Sequence, residues 1–192
     1  KLFLYRICGV ICQVIMSTIR IVTDSSAHFH QIDSTLSQQI AIVPHSICLG
    51  GRSYREGVDI SSEEFLDLLV NYGGAPEISP PSPEDFAAQF RELSRSTHEI
   101  VCVCVSRKLS RAWHNAREAA QPLLGKLDIA VIDSMSISVG LGILAHAAAK
   151  FSLEQVSAKT LRRSIIMMIP RIYSAFFANS MEDLYRFGRA GS

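Results

Sequence analysis

Three short polar groups in the 192-residue sequence stand directly behind apolar, β-branched runs. Asp24-Ser25-Ser26 closes Thr18–Asp24, Ser106-Arg107-Lys108-Leu109-Ser110 follows Glu99–Val105, and Asp133-Ser134 closes Asp128–Asp133. As the end of a strand in an open α/β sheet, Asp24 and Ser25 would stand at the carboxyl edge, where such sheets bind ligands. Ser110 opens a helix expected over about Ser110–Leu124. There its hydroxyl is expected to cap the helix. Asp24 and Ser25 have a plainer use as caps of the following helix, and that is the role expected for them.

A fourth stretch, Ala75–Pro83, holds four prolines in nine residues. Proline fixes its own φ and biases its predecessor away from the helical region, so Ile78 and Ser79 are expected on a stiff, extended segment. Ser82 then caps a helix running to about Leu93, with Glu84 and Asp85 in the first turn, where carboxylates suit the helix dipole. Such a segment presents small polar groups to a ligand or serves as a plain connector.

Other chemistry is missing from the sequence. Neither phosphate-binding glycine loop follows a strand, and H-E-x-x-H, C-x-x-C and G-x-S-x-G are absent. Ser110 with His114 and an aspartate has the composition of a hydrolase triad. The pair reads instead as cap and surface residue, so no catalytic residues are expected. His28 and His30 lack a third ligand nearby, and no metal site is expected. Cys8 and Cys12 stand at i, i+4, without a histidine or acid beside them.

With 48% hydrophobic residues the chain has material for a sizeable core, and 19 basic against 18 acidic residues leave a net charge of +1. That balance argues against a nucleic-acid binder, which shows a basic patch or stripe. Five cysteines make no disulfide framework. Cys102 and Cys104 alternate on one face of a strand as small core hydrophobes, and a reduced, cytoplasmic setting follows. Residues 1–16 are apolar with basic flanks, shorter than the roughly 20 residues that span a bilayer. They are expected to be an upstream extension, without stable membrane insertion.

The elements that must position these groups alternate. Extended runs over Thr18–Asp24, Ile40–Cys48, Glu99–Val105 and Asp128–Asp133 interleave with helices over about Ser62–Tyr72, Ser82–Leu93, Ser110–Leu124 and Ser136–Phe151. Leu153–Ile169 reads as one long amphipathic helix ended by Pro170, Ile172–Ala178 as a strand, and Met181–Phe187 as a short helix capped by Ser180. Gly140-Leu-Gly142 allows close helix–sheet packing. Strand–helix alternation predicts an α/β fold with a mainly parallel sheet flanked by helices.

Read in order, Ile21–Ala27, Tyr54–Ile60, Ile78–Pro83, Ser106–Ser110 and Val131–Ser134 with Gly140-Leu-Gly142 resemble the DegV family of bacterial fatty-acid-binding proteins. The resemblance covers about Thr18–Gly191. It implies an N-terminal α/β domain over residues 17–170 and, in 171–192, the incomplete beginning of a second α/β domain. It further implies a long-chain fatty acid such as palmitate or oleate as ligand. The carboxylate would lie near Ser110 and the 75–83 segment, and the acyl tail in an apolar tunnel. In several members the bound acid is presented to a separate fatty-acid kinase.

Carried over by motif, Ser110 matches a serine that binds the carboxylate, and Ser79 matches the serine of the family's Thr-Ser-Gln-Pro-Ser segment. Ile78 stands where the family has a carboxylate-binding threonine, and Pro80 where it has glutamine. Arg111-Ala112 replaces Gly-Thr, so Arg111 either pairs with the carboxylate or obstructs the pocket. Near the end, Phe187-Gly188-Arg189 matches a Gly-Gly-Arg turn with its first glycine replaced. The alternative expectation is a remnant or interaction protein that keeps the fold and has lost lipid binding through Ile78 and Arg111.

Overall fold

The computed structural model of the chain describes residues 3–7, 10–14, 19–30, 33–72, 75–154 and 156–175. In chain order the strands are β1 (Phe3–Ile7), β2 (Val10–Val14), β3 (Arg20–Asp24), β4 (Ile40–Val43), β5 (Ser46–Leu49), β6 (Arg52–Arg55), β7 (Glu77–Ser79), β8 (Glu99–Cys104) and β9 (Asp128–Asp133). The helices are α1 (Ser34–Ser37), α2 (Ser62–Tyr72), α3 (Pro83–Leu93), α4 (Ala112–Ala120), α5 (Val139–Leu153) and α6 (Ala158–Met168). Gln121–Leu123 and Ile169–Arg171 are single 3-10 turns.

Strands β4-β3-β8-β9 form a sheet in that order, all pairs parallel. Its central strand β8 reads as an almost unbroken apolar run because both faces are covered. Ile100 to Val105 are each at most 1% exposed. The helix pairs α3–α4 and α5–α6 pack on this sheet. Phe86 and Phe90 of α3 are both fully buried, their rings 6.1 Å apart. The predicted α/β class with a parallel sheet flanked by helices is what the chain adopts.

Strand order fixes where a ligand crevice must open. From β3 the chain crosses to β4 on one side; it returns from the other elements to β8 on β3's opposite side. Connections therefore diverge between the carboxyl ends of β3 and β8, which is the switch point of the sheet.

Between β4 and β8 the chain builds a second, three-stranded sheet in the order β6-β5-β7, antiparallel throughout. The single extended run expected over Ile40–Cys48 is thus two strands of two sheets. Pro44, which cannot donate to a ladder, marks the break. The proline-rich segment is extended as expected and pairs with β5, Ile78 opposite Ile47 and Ser79 opposite Ser46.

Several boundaries differ from the sequence reading. The helix expected from Ser110 begins at Ala112 and ends at Ala120. The helix expected over Leu153–Ile169 is the shorter α6: α5 runs on to Leu153, and Ser157 restarts the chain, its hydroxyl accepting from Thr160 N at 3.2 Å. Residues 172–175 are irregular rather than strand, and 176–178 with the Ser180 cap and the 181–187 helix lie outside the described residues. At the other end, β1 and β2 pair as an antiparallel hairpin, which places Cys12 on a strand instead of a helix. Cys8 lies outside the described residues.

The close approach at Gly142 is to a loop, not to the sheet. A Cβ there would run into the backbone carbonyl of His28, just past β3. The core cysteines are as expected: Cys102 and Cys104 are fully buried with sulfurs 3.5 Å apart. The contact with Cys102 and burial together push the Cys104 thiol well above its ordinary range, so it stays neutral.

Candidate functional site at the carboxyl edge of the parallel sheet

Asp24, the last residue of β3, is completely buried and bridges the switch point. Its Oδ2 accepts from Val105 N at 2.7 Å and its Oδ1 from Ser26 N at 3.1 Å. It does not cap the following helix as expected; α1 is capped by Asp33, whose Oδ1 accepts from Leu36 N. A carboxylate that satisfies two backbone donors locks the ends of β3 and β8 in register.

The turn after β8 is folded on itself and on β9. Ser106 O accepts from Leu109 N at 2.8 Å and Ser110 N at 3.1 Å, while Ser106 N donates to Ser136 O at 2.9 Å. Arg107 meets Asp133, its Nε 3.3 Å from Oδ2. The guanidinium groups of Arg107 and Arg117 lie 5.6 and 4.8 Å from the centre of the Trp113 ring. His114 turns its ring edge-on to Trp113, 4.9 Å away.

Ser110 is half-buried two residues ahead of α4. Its oxygen accepts from Ala112 N at 3.2 Å, so the hydroxyl takes up one N–H of the first turn and keeps its proton for an outside acceptor. Arg111 occupies the N-cap position in helical conformation, is exposed, and makes no side-chain cap bond. Its guanidinium is therefore available to an anion at the rim.

Ile78 is 58% exposed and Ser79 is exposed, both on β7. The segment is tied to α4 just beyond: Asn115 Nδ2 donates to Pro81 O at 2.7 Å, and Asn115 N donates to Arg111 O at 3.0 Å. The elements carrying the four expected residues, Ile78, Ser79, Ser110 and Arg111, are thus joined through one asparagine.

Sequence reasoning missed the other wall of the crevice. Ser25 Oγ donates to Glu56 Oε2 at 2.6 Å, accepts from His45 N at 2.8 Å, and lies 3.1 Å from His45 Nδ1. His45 is 5% exposed. A histidine interrupting the apolar run Ile40–Cys48 was the available signal. The cluster is not a hydrolase triad, because the carboxylate meets the serine and not the far nitrogen of the imidazole.

Among the hollows of the described surface are two of a few hundred Å³. One of about 370 Å³ lies between Tyr54 and α2, with Asp59, Glu64 and Asp67 on its walls. The other, about 410 Å³, is apolar and lined by Met135, Ile166, Ile169, Pro170, Ile172 and Tyr173, beginning at the loop beyond β9. Among the described residues, no group of three or more His, Cys, Asp or Glu side chains is placed to hold a metal ion. Among them, too, no helix is long and apolar enough to cross a membrane.

Comparison with known proteins places this architecture. A DegV domain-containing protein of Caldanaerobacter subterraneus subsp. tengcongensis is 34% identical over 174 residues, 91% of this chain and 61% of its own. The chain therefore spans about three-fifths of the curated relatives it matches. Among solved structures, a fatty-acid-binding DegV family protein from Thermus thermophilus superposes with a TM-score of 0.75 at 29% identity, covering 90% of this chain and 60% of that one. A stearic acid-binding protein from Eubacterium ventriosum matches at 0.68 and 26%, covering 77% and 52%. The fatty acid kinase B3 protein of Streptococcus pneumoniae, loaded with linoleic acid, shares the fold at 0.70 and 19%, covering 80% and 54%. The family model described as "Uncharacterised protein, DegV family" matches residues 18–192, and the chain belongs to that family.

Proposed function

We propose that this protein binds a long-chain fatty acid such as palmitate or oleate and acts as a carrier, without chemistry of its own. The observation that carries the reading is the likeness, over 90% of this chain, to the fatty-acid-binding Thermus thermophilus protein. The carboxylate sits where the Ser110 hydroxyl and the Arg111 guanidinium approach the 75–83 segment, a charge-assisted pairing that orients the headgroup. The tail leaves along apolar surface, of which the hollow beginning at Met135 is one wall. Residues 17–170 form the first domain of the carrier and 171–192 open a second that completes the tunnel. In the cytoplasm the loaded protein presents its carboxylate to a fatty-acid kinase, as the name of the Streptococcus pneumoniae relative supports.

Fluorescence titration of the full-length product with oleic acid tests this. Saturable binding is expected, weakened about tenfold in Ser110→Ala, which removes one hydrogen bond to a charged group. Failure of oleate and palmitate to bind overturns the reading, and ester hydrolysis that disappears in Ser110→Ala overturns the carrier role.

A further inference from the structure

We infer that His45 is a second headgroup contact, one that carries a proton, so that this crevice takes up a proton together with its ligand. The inference rests on the fatty-acid reading above and concerns a residue that reading does not use.

A hydroxyl has one proton to give and two lone pairs to receive with. Ser25 gives its proton to the Glu56 carboxylate at 2.6 Å, since an ionised carboxylate can only accept. One lone pair takes the His45 backbone N–H at 2.8 Å. The other faces His45 Nδ1 at 3.1 Å, so Nδ1 must carry hydrogen. The neutral ring is thereby fixed in one tautomer, with Nε2 bare.

Nε2 takes no hydrogen bond among the described residues. It is also not one of the enclosed, unpartnered side-chain atoms, which are Arg20 Nε, Thr23 Oγ1, Gln39 Oε1 and Trp113 Nε1. His45 is 5% exposed, and Nε2 is its ring nitrogen without a hydrogen bond among the described residues.

Position does the rest. His45, Ile47 and Leu49 are buried and alternate with half-buried Ser46 and Cys48, so His45 shares the face of β5 on which Ile47 opposes Ile78. Its neighbour Ser46 opposes Ser79. Ser25, which holds the ring, follows the aspartate that closes the switch point. His45 thus lies between the β3 end and the 78–81 segment, the two sides of the crevice.

A carboxylate arriving there needs a donor, and bare Nε2 becomes one by taking a proton from solvent. The bound pair is imidazolium and carboxylate, with no covalent change. The charged groups set against His45 are Glu56, through Ser25, and Asp24 on β3, already engaged by Val105 N and Ser26 N. From β7 comes Glu77, at the far end opposite Cys48.

The test is calorimetric titration of the full-length protein with oleic acid near neutral pH, in buffers of different ionisation enthalpy, with oleyl alcohol as the ligand lacking a carboxylate. The variant is His45→Asn, whose amide nitrogen replaces Nδ1 on Ser25 and lacks the far end of the ring. The wild type is expected to take up a proton with oleate. His45→Asn should bind oleate about tenfold more weakly, without uptake, as befits loss of a charge-assisted bond. Oleyl alcohol should bind both proteins alike. Oleate binding with equal proton uptake in the two proteins, or with none in the wild type, overturns the inference and leaves the carrier reading standing. No oleate binding to the wild type overturns both.

Discussion

The parallel four-stranded sheet and the antiparallel three-stranded sheet differ in what covers them. In the parallel sheet, β8 is buried on both sides and its neighbours close over it with helices. In the antiparallel sheet, all three residues of β7 are exposed, and in β6 only Tyr54 is partly shielded. Apolar area fixes the first, at about 25 cal/mol per Å² removed from water. Ladder bonds, prolines and the buried Ile47 and Leu49 of the central strand β5 fix the second. The expected ligand residues fall on the border, with Ser110 held by a turn on the rigid sheet and Ile78 and Ser79 on the lightly held strand. That border joins a side closed by burial to one open to solvent.

The sharpest way to break the contrast is to empty the covered side. Phe86→Ala deletes a fully buried ring from the contact of α3 with Phe90 and should cost about 3–5 kcal/mol, read as a fall in the urea midpoint. A loss below about 1 kcal/mol, typical of exposed positions, would mean the two regions are not so different.

Asp24 tests the border itself. Asp24→Ala leaves Val105 N and Ser26 N without their acceptor at a buried position and should cost about 2–3 kcal/mol. Amide exchange should quicken at Val105 and Ser26 first, while the middle of β8 stays protected. Uniform loss of protection across β3 and β8 would show that Asp24 holds the whole sheet and not just its carboxyl edge.

The parallel sheet was legible because burial writes itself into composition. Glu99–Cys104 has one way to be satisfied, and the Ser82 cap with Asp85 in its first turn states where α3 starts. The antiparallel sheet was less so. Pro44 marks a sheet edge or a bend within Ile40–Cys48, but that a second sheet begins beyond it depends on β7 arriving from more than thirty residues away. The same holds for the site. Ser110 announced itself by standing before a helix, though by two residues more than expected. His45 and Glu56 became visible only when Ser25 joined them, across separations of 20 and 31 residues. Periodicity records which face is buried; it does not record which distant polar groups meet there.

The smallest effect sharpens the comparison from the exposed side. The turn after β6 is organised by one ion pair, Arg55 Nη2 to Asp59 Oδ1 at 2.8 Å and Arg55 Nε to Oδ2 at 2.9 Å, with Arg55 N also donating to Oδ2 at 2.9 Å. These side-chain bonds, then the backbone bond, hold the Asp59 carboxyl at about 2, below its ordinary range. A carboxyl depressed in the folded state stabilises the fold above its unfolded pKa, near 3.9, and that stability drains away as the pH falls through the folded value. Both partners are exposed, so water and salt screen the pair and its share of stability is small. In Arg55→Ala the carboxyl titration followed by NMR should move up part of the way, because the backbone donor at position 55 remains. The neutral-pH urea midpoint should hardly change. A midpoint that fell as far as in Asp24→Ala would show that exposed polar contacts hold the antiparallel sheet as firmly as burial holds its neighbour.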